Sequence, residues 1–180
     1  IVVNDPIKRI LVERCAPKIE VTGIMNPADE RIFGSDNHSP SRKTNKGFVV
    51  MYHGTLTYLY GLDIAIRTMA KLKDKIPNLE FRIFGNEEEA DALKELAKEL
   101  CVSKNIVFMG RVGIETIPEY IKQADIGVLP TVRDDFIDLS FSNKLAEYVT
   151  MKTPVVATRL LSTLEYFTED AISYFESEDV

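Results

Sequence analysis

Short apolar segments alternate with amphipathic segments along most of this 180-residue chain. The apolar segments occupy residues 48–52, 79–84, 106–109, 126–129 and 155–157. Each is too short for a helix, and each suits a strand that is buried on both faces. Apolar residues recur at helical spacing between them, in the sets Leu62, Ala65, Ile66, Met69; Leu93, Leu96, Ala97, Leu100; and Ile117, Tyr120, Ile121, Ala124. This alternation predicts βαβ units and a parallel sheet.

Crossovers between parallel strands are almost always right-handed, which indicates an open sheet with helices on both faces. The predicted fold class is α/β, a doubly wound, Rossmann-like parallel sheet with about six core strands. In the usual Rossmann order the first and fourth core strands are neighbours, and the loops that leave them cover residues 53–61 and 130–142. Ligands of open α/β sheets bind in the crevice between such loops, so the pattern predicts a binding site there.

The first 46 residues are predicted as an interdomain lead-in, and residues 47–180 as the ligand-binding domain. The lead-in consists of a short strand, a helix over residues 7–15, a second strand over residues 19–24 and a polar connection. The chain begins without Met inside an apolar run, and it ends just after the strand-like segment 172–175. We therefore expect a piece of a larger protein, whose other domain supplies part of the active site.

The composition narrows the class of partner. The net charge is −6, which argues against general nucleic-acid binding because such proteins favour a basic surface. No apolar run approaches the length of a membrane span, and no signal peptide is visible, so we expect a cytoplasmic protein. Cys15 and Cys101 have no metal-ligand spacing around them and are interpreted as reduced thiols rather than a disulfide pair.

A helix start near Ser142 is the strongest candidate site. Ser142 is a suitable N-cap, and Lys144 and Glu147 follow on one side of the helix. The unpaired backbone N–H groups and the positive dipole end of a helix start attract phosphate. A carboxylate one turn further along can accept hydrogen bonds from sugar hydroxyls. The segment therefore predicts a pocket for a nucleotide diphosphate and its ribose, against the alternative of an exposed surface ion pair.

Other candidates lie in loops that leave the carboxyl ends of predicted strands. Gly54 and Thr55 follow the first core strand, either as a turn whose bare backbone approaches a phosphate or as a simple strand-ending turn. Arg133 is predicted as a further phosphate contact, whereas the adjacent acids at positions 134 and 135 are interpreted as a solvated cluster rather than a metal site. Arg111 lies at the same edge and is more typical of a surface residue.

The catalytic residue types are sparse. His53 ends the first core strand, where it either polarises a bound group or, as the favoured interpretation, is a structural histidine with satisfied hydrogen bonds. The chain has no G-x-G-x-x-G, no G-x-x-x-x-G-K-[ST], no Ser/His/Asp triad and no metal-ligand cluster. No catalytic residue is assigned, and neither a metal nor another cofactor is expected.

The motifs taken together resemble the C-terminal, donor-binding domain of the group 1 glycosyltransferases. The resembling segments are residues 26–29, 52–56, 61–66, 84–85, 106–112, 124–130, 142–148 and 152–158. The resemblance covers nearly the whole chain, and it implies one half of a GT-B enzyme, in which two Rossmann-like domains face each other across a cleft. It also implies sugar transfer with retention of configuration and without a metal.

The resemblance assigns roles to individual residues. Glu147 matches the family's glutamate that holds the ribose hydroxyls. Backbone N–H groups at the start of its helix would meet the diphosphate, here those of Asn143, Lys144 and Leu145. The backbone near Arg111 and Val112 would contact the base. The expected partners are a nucleotide diphosphate-sugar donor, the chain's own N-terminal domain and an acceptor glycan or lipid, with any membrane association in that other domain.

Three positions depart from the family pattern. Leu139 stands where the first acid of the two-glutamate motif is expected, with Asp138 beside it, and Thr55 and Tyr60 stand where the family often has Arg and Lys. These departures keep two alternatives open: a non-catalytic GT-B-like module that binds a ligand or partner protein, and a nucleotide-sugar epimerase domain.

Overall fold

The computed structural model describes residues 1–34, 47–86 and 90–177. Within these ranges one parallel sheet has six strands: β1 (Val49–His53), β2 (Glu80–Phe84), β3 (Ile106–Gly110), β4 (Ile126–Leu129), β5 (Val155–Thr158) and β6 (Ser173–Phe175). Their order is β3-β2-β1-β4-β5-β6, and every neighbouring pair is parallel. This order is the Rossmann one. The predicted fold class is confirmed.

Helices connect the strands and cover both faces of the sheet. In chain order they are α1 (Asp5–Cys15), α2 (Glu30–Phe33), α3 (Leu62–Leu72), α4 (Asp91–Glu99), α5 (Ile117–Ile121), α6 (Asn143–Thr150) and α7 (Leu161–Leu164). The three predicted helical patterns correspond to α3, α4 and α5. The last of these ends at Ile121, three residues before the pattern does.

The sheet has a hydrophobic core on each face. Met51 and Tyr52 are adjacent in β1 and both are buried, but Met51 belongs to one apolar cluster and Tyr52 to the other. Successive side chains of a strand point to opposite faces, so both faces of β1 are covered. This two-sided burial explains why the strand sequences are continuously apolar rather than alternating.

The fourth strand lies beside the first, as predicted. Val50 pairs with Ile126 and Met51 with Gly127, so the loops after β1 and β4 leave the same edge side by side. Gly127 allows Tyr148 of α6 to lie against the sheet, because a Cβ at position 127 would be 2.8 Å from the tyrosine ring. The Tyr148 hydroxyl donates a hydrogen bond to the Met51 carbonyl at 3.0 Å. These contacts fix the position of α6 over β1 and β4.

The lead-in differs from its prediction. α1 begins at Asp5 rather than residue 7, because Asn4 Oδ1 caps it by accepting from Ile7 N at 2.9 Å. The strand predicted over residues 19–24 is wrong: only one bridge forms, between Val2 and Gly23. No strand of the described chain lies against this segment to bury Ile19, which is 81% exposed.

Apolar and polar contacts join the lead-in to the sheet domain, and Ala28 and Phe33 are buried in one of its core clusters. Asn4 Nδ2 donates to the Leu139 carbonyl, Arg9 pairs with Glu165, and the Tyr166 hydroxyl accepts from the Asp5 amide. The division between residues 1–46 and 47–180 stays a prediction. Of the polar connection before residue 47, residues 35–46 lie outside the described ranges.

Two smaller predictions concern the cysteines and membrane spans. Cys15 and Cys101 are free and exposed, which confirms that they do not form a disulfide with each other. Among the helices in the described ranges, none combines the length and the apolar character that crossing a bilayer requires.

Candidate functional site

A cavity of about 520 Å³ opens at the carboxyl edge of the sheet, at the end of β1. Its lining comes from the ends of β1 and β2, the loop after β3, the start of α5 and the first turns of α6: His53, Gly54, Thr55, Phe84, Gly85, Asn86, Arg111, Val112, Ile114, Ile117, Lys144 and Glu147. Six of the ten predicted site residues therefore line one cavity. They are Gly54, Thr55, Arg111, Val112, Lys144 and Glu147.

The amino end of α6 has the predicted cap. Ser142 has an extended backbone, and its Oγ accepts a hydrogen bond from Leu145 N at 3.4 Å. The amide N–H groups of Asn143 and Lys144 have no acceptor among the described residues. Free amides at the positive end of a helix form a site for an anion.

Lys144 lies across the loop that follows β1. Gly54 has a φ of +128°, and a Cβ there would be 2.2 Å from Lys144 Cε, so only glycine fits beneath this side chain. The Lys144 Nζ is 4.1 Å from the centroid of the Tyr60 ring and 5.6 Å from that of Tyr52. These distances are typical of cation–π contacts. Burial lowers the pKa of Lys144, and the nearby Glu147 opposes this shift.

Glu147 faces His53 at the back of the cavity. Glu147 Oε2 is 3.3 Å from His53 Nε2, and the two side chains are 12% and 8% exposed. The angles do not make this contact a hydrogen bond, and Nε2 has no partner in the described structure. Burial raises the pKa of Glu147 to about 7, and Lys144 opposes the rise. Burial lowers the pKa of His53 to about 3, and the charge of Lys144 adds to that effect.

Two interpretations drawn from the sequence are therefore wrong. Lys144 and Glu147 are not an exposed surface pair, because both line the cavity and Glu147 is largely enclosed. His53 is not a histidine with satisfied hydrogen bonds, because its Nε2 is buried without a partner. Both interpretations assumed the surroundings that such side chains commonly have, a solvent-exposed helix face for Lys144 and Glu147 and a hydrogen-bond partner for His53. The actual neighbours of these side chains come from distant parts of the chain, which the local sequence does not reveal.

Four predicted residues do not line the cavity. Ser142 and Asn143 directly precede the lining residue Lys144 in the chain but do not line the cavity themselves, and Asn143 is exposed. The side chain of Leu145 is in the core, and its amide is already used by Ser142 Oγ. Because that amide already donates to Ser142, the predicted hydrogen bond from Leu145 to the diphosphate is wrong for this structure.

Arg133 also has another partner. Its Nε and Nη2 donate to Asp138 Oδ2 at 3.1 and 2.8 Å, and it does not line the cavity. The other carboxyl oxygen of Asp138 accepts from Leu161 N at 2.8 Å. Asp138 thus joins the loop after β4 to the start of α7. In this structure the Arg133 guanidinium pairs with the Asp138 carboxylate outside the cavity.

The cavity includes residues that sequence reasoning did not assign to it. They are Phe84 at the end of β2, Gly85 and Asn86 directly after it, and Ile114 and Ile117 after β3. The predicted strand order could have indicated Phe84, Gly85 and Asn86, because β2 is the neighbour of β1 in the sheet and its carboxyl end lies at the same edge. Within the described residues, no three His, Cys, Asp or Glu side chains come together as metal ligands.

The fold and site define a Rossmann-like domain with a cavity at the carboxyl edge of its sheet, lined in part by a helix whose first two amides are free. Residues 47–177 match the family described as glycosyl transferases group 1. This match covers well over half of the chain. The chain belongs to the group 1 glycosyltransferase family and corresponds to the C-terminal domain of its members.

Individual relatives are similar over different lengths. An uncharacterized glycosyltransferase of Methanocaldococcus jannaschii is 30% identical over 117 residues, which are 65% of this chain and 28% of the relative. A glycosyltransferase from Rickettsia africae superposes with a TM-score of 0.82 at 17% identity, over 98% of this chain and 48% of that one. The Anabaena protein HepE, solved in complex with UDP, superposes with a TM-score of 0.77 at 16% identity, over 99% and 50%. The chain thus spans at most about half the length of these proteins.

Proposed function

We propose that this chain binds the donor of a retaining glycosyltransferase, which transfers a sugar from a nucleotide diphosphate-sugar to an acceptor glycan, lipid or small molecule. One observation carries the proposal: the side chains of Lys144 and Glu147 line one cavity, and the helix that bears both of them begins with the free amides of Asn143 and Lys144. This set of groups is complementary to a diphosphate joined to a ribose. The cavity volume is also in the range usual for small-molecule sites.

Each part of the donor has a complementary surface. The diphosphate accepts hydrogen bonds from the amides of Asn143 and Lys144 and lies beside the Lys144 ammonium. The ribose hydroxyls donate to Glu147, and the base lies against the loop of Arg111 and Val112. The proposal includes no metal, because the helix dipole and Lys144 supply the positive charge that a diphosphate needs.

The same groups serve the transfer step. When the bond between the sugar and the diphosphate breaks, negative charge increases on the phosphate that leaves. Donors that are already oriented toward this charge stabilise the transition state more than the ground state. The acceptor oxygen forms the new bond to the sugar, and the proton of its hydroxyl group passes to the departing nucleotide diphosphate. In the proposal, the N-terminal domain brings the acceptor and closes over the donor to exclude water.

Calorimetric titration tests the binding. We expect one of UDP, GDP and ADP, with the corresponding diphosphate-sugars, to bind the full-length protein. UDP is titrated first because it occupies the Anabaena relative. Glu147→Ala should weaken binding by about 1–3 kcal/mol while leaving the fold intact. Absence of binding for all three nucleotides at millimolar concentration would contradict the proposal.

A second candidate is a non-catalytic module with the same ligand. It is favoured by the positions at which this chain departs from its family, because Tyr60 contacts the Lys144 ammonium where the family often has a second cation, and Leu139 provides no acid. The assay that separates the two is sugar transfer by the full-length protein, with Lys144→Ala as the control for contaminating activity. Turnover that is lost in the control excludes the second candidate, and nucleotide binding without turnover favours it.

A further inference from the structure

His53 has an unusual position for a polar side chain. It is the last residue of β1, it lines the cavity, and its ring packs edge-on against Tyr148 with the centroids 5.1 Å apart. The Nε2 atom is fully buried and makes no hydrogen bond within the described structure. A buried polar atom without a partner costs free energy of folding, and such atoms are rare in native proteins. The free-energy cost of burying Nε2 without a partner suggests that His53 has a function in the cavity.

Glu147 is within reach of this nitrogen. The distance from Nε2 to Oε2 is 3.3 Å, so a small rotation of either side chain completes a hydrogen bond. A carboxylate oxygen and an unprotonated imidazole nitrogen are both acceptors, and they repel each other at this distance. One proton must therefore lie between them, on the nitrogen or on the oxygen.

We propose that His53 is a positioning residue for Glu147 in nucleotide binding: its Nε2 holds one carboxyl oxygen and leaves the other oxygen turned toward the ribose hydroxyls. This inference rests on the proposed function, because the ribose is the group that Glu147 is assigned there. A carboxyl group with one oxygen held has less rotational freedom to lose when the ribose binds.

Two contacts keep the two side chains opposed. Glu147 is adjacent to Tyr148 in α6, and the Tyr148 hydroxyl donates to the Met51 carbonyl two residues before His53. The Tyr148 ring lies against Gly127 on one side and near the His53 ring on another. The tyrosine thus fixes α6 relative to β1, and the His53–Glu147 distance follows from that.

The charged and titratable neighbours decide where the shared proton lies. From α6, Lys144 acts on the pKa of both members, and Glu147 in turn helps to raise the pKa of the buried Tyr148; from the loop after β3, Arg111 lines the same cavity. Because burial lowers the pKa of His53 to about 3 and raises that of Glu147 to about 7, the proton lies on the carboxyl oxygen below pH 7. The imidazole is then neutral and accepts the hydrogen bond.

The test compares UDP with 2′,3′-dideoxy-UDP, which lacks the ribose hydroxyls but keeps the diphosphate. If UDP does not bind, GDP and ADP are used with their dideoxy counterparts. The wild-type protein should prefer the hydroxylated nucleotide by roughly ten- to a hundredfold. His53→Phe keeps an aromatic ring against Tyr148 and should reduce this preference by roughly tenfold, with little change in the affinity for the dideoxy nucleotide. His53→Gln retains an amide group near the position of Nε2 and should keep more of the preference.

The outcomes separate this inference from the proposed function. If no nucleotide binds the wild-type protein, both fail. If the wild-type protein prefers the hydroxylated nucleotide and His53→Phe keeps the full preference, only the inference fails. An equal loss for both nucleotides indicates a merely structural His53 and also overturns it.

A second measurement needs no change at position 53. In NMR titration of the wild-type protein, the ring nitrogens of His53 should shift in the same pH step as the Glu147 carboxyl carbon, and Glu147→Gln should remove that step. Independent steps would overturn the inference, even if His53→Phe failed to fold.

Discussion

Gly54 places the one cation of α6 that enters the cavity. The Lys144 side chain passes over this glycine and reaches Tyr60. Neither residue alone indicates a phosphate site, because a single glycine and a single lysine are common at strand ends and helix starts. Their contact, which joins positions 90 residues apart, makes the cavity suitable for an anion.

Gly54→Ala should therefore reduce UDP binding. The new Cβ lies 2.2 Å from Lys144 Cε and the φ of +128° strains any side chain, so the lysine and the loop must both move. We expect the affinity to fall by at least about tenfold, which corresponds to about 1.4 kcal/mol. Gly23→Ala is the matched control, because its Cβ would come no closer than 3.3 Å to another atom and Gly23 does not line the cavity. An affinity at the wild-type level in Gly54→Ala would contradict the placement of Lys144.

Lys144→Met should affect phosphates more than nucleosides. The substitution keeps an apolar stem over Gly54 and removes the charge, so UDP should lose roughly 1.5–3 kcal/mol of binding free energy and uridine much less. Calorimetry on both ligands measures the difference. Lys104→Met, at an exposed position outside the cavity, serves as the control. Equal losses for UDP and uridine would mean that Lys144 does not contact phosphate.

Glu147 should make stability depend on pH. Its folded pKa of about 7 lies above its ordinary value of 4.5, so the folded state holds the proton more tightly than the unfolded state. The resulting stability is fully present below pH 4.5 and is lost as the pH rises through 7. The free energy of unfolding of the wild type, minus that of Glu147→Gln, should decrease across this window in urea titrations. His53, whose pKa is shifted in the opposite direction, is present in both proteins and largely cancels.

Glu13→Gln, at an exposed position on α1, is the control for this profile. Its difference from the wild type should not vary over the same pH range. A difference for Glu147→Gln that is flat, or that increases with pH, would contradict the burial of the carboxyl group.

At the scale of elements, α6 carries the site because Tyr148 holds it to the sheet. The hydroxyl of Tyr148 bonds the Met51 carbonyl, and Leu145 is buried one turn earlier. The apolar positions of this helix were readable from its sequence, and so was its Ser142 cap, because both depend on residues close in the chain. The orientation of Glu147 toward His53 was not, because it depends on how a helix and a strand 90 residues apart pack together.

Tyr148→Phe tests this attachment. The ring stays against Gly127 and His53, but the Met51 carbonyl loses its donor in a buried place, which should destabilise the protein by about 1–3 kcal/mol. Urea denaturation measures the change. Tyr58→Phe is the control, since that residue is 73% exposed. Equal stabilities for the two variants would show that the hydroxyl does not hold α6.

The remaining differences from the predicted elements have a common origin. The core strands were predictable because burial on both faces leaves a continuous apolar run. The segment over residues 19–24 mixes apolar residues with Glu20 and Thr22 and has no such run. Pairing is not encoded in a single segment, and only the bridge from Val2 to Gly23 forms. The prediction that Arg133 contacts a phosphate also rested on its position in a single loop, without knowledge of its neighbours. In the structure its guanidinium pairs with Asp138.

At the scale of the whole molecule, strand order brings the site together. Residues from the ends of β1 and β2, the loop after β3 and α6 meet at one edge because all strands are parallel and β1 lies between β2 and β4. That arrangement follows from general rules for doubly wound sheets, so the edge of the sheet at which the cavity opens could be predicted. The loop over residues 130–142 was expected to form one side of the crevice but contributes no lining residue, and the end of β2 and the loop after β3 line the cavity instead. The chain covers half of the length of its solved relatives, and the proposed transfer requires the other half of the cleft.

A crystal structure of the protein with UDP tests the proposed diphosphate and ribose contacts together. The diphosphate should lie at the amino end of α6, within hydrogen-bonding distance of the amides of Asn143 and Lys144, with Lys144 Nζ beside it. The ribose hydroxyls should contact one oxygen of Glu147 while His53 holds the other. A nucleotide bound elsewhere, or a ribose that faces away from Glu147, would contradict the assignment of this cavity as the donor site.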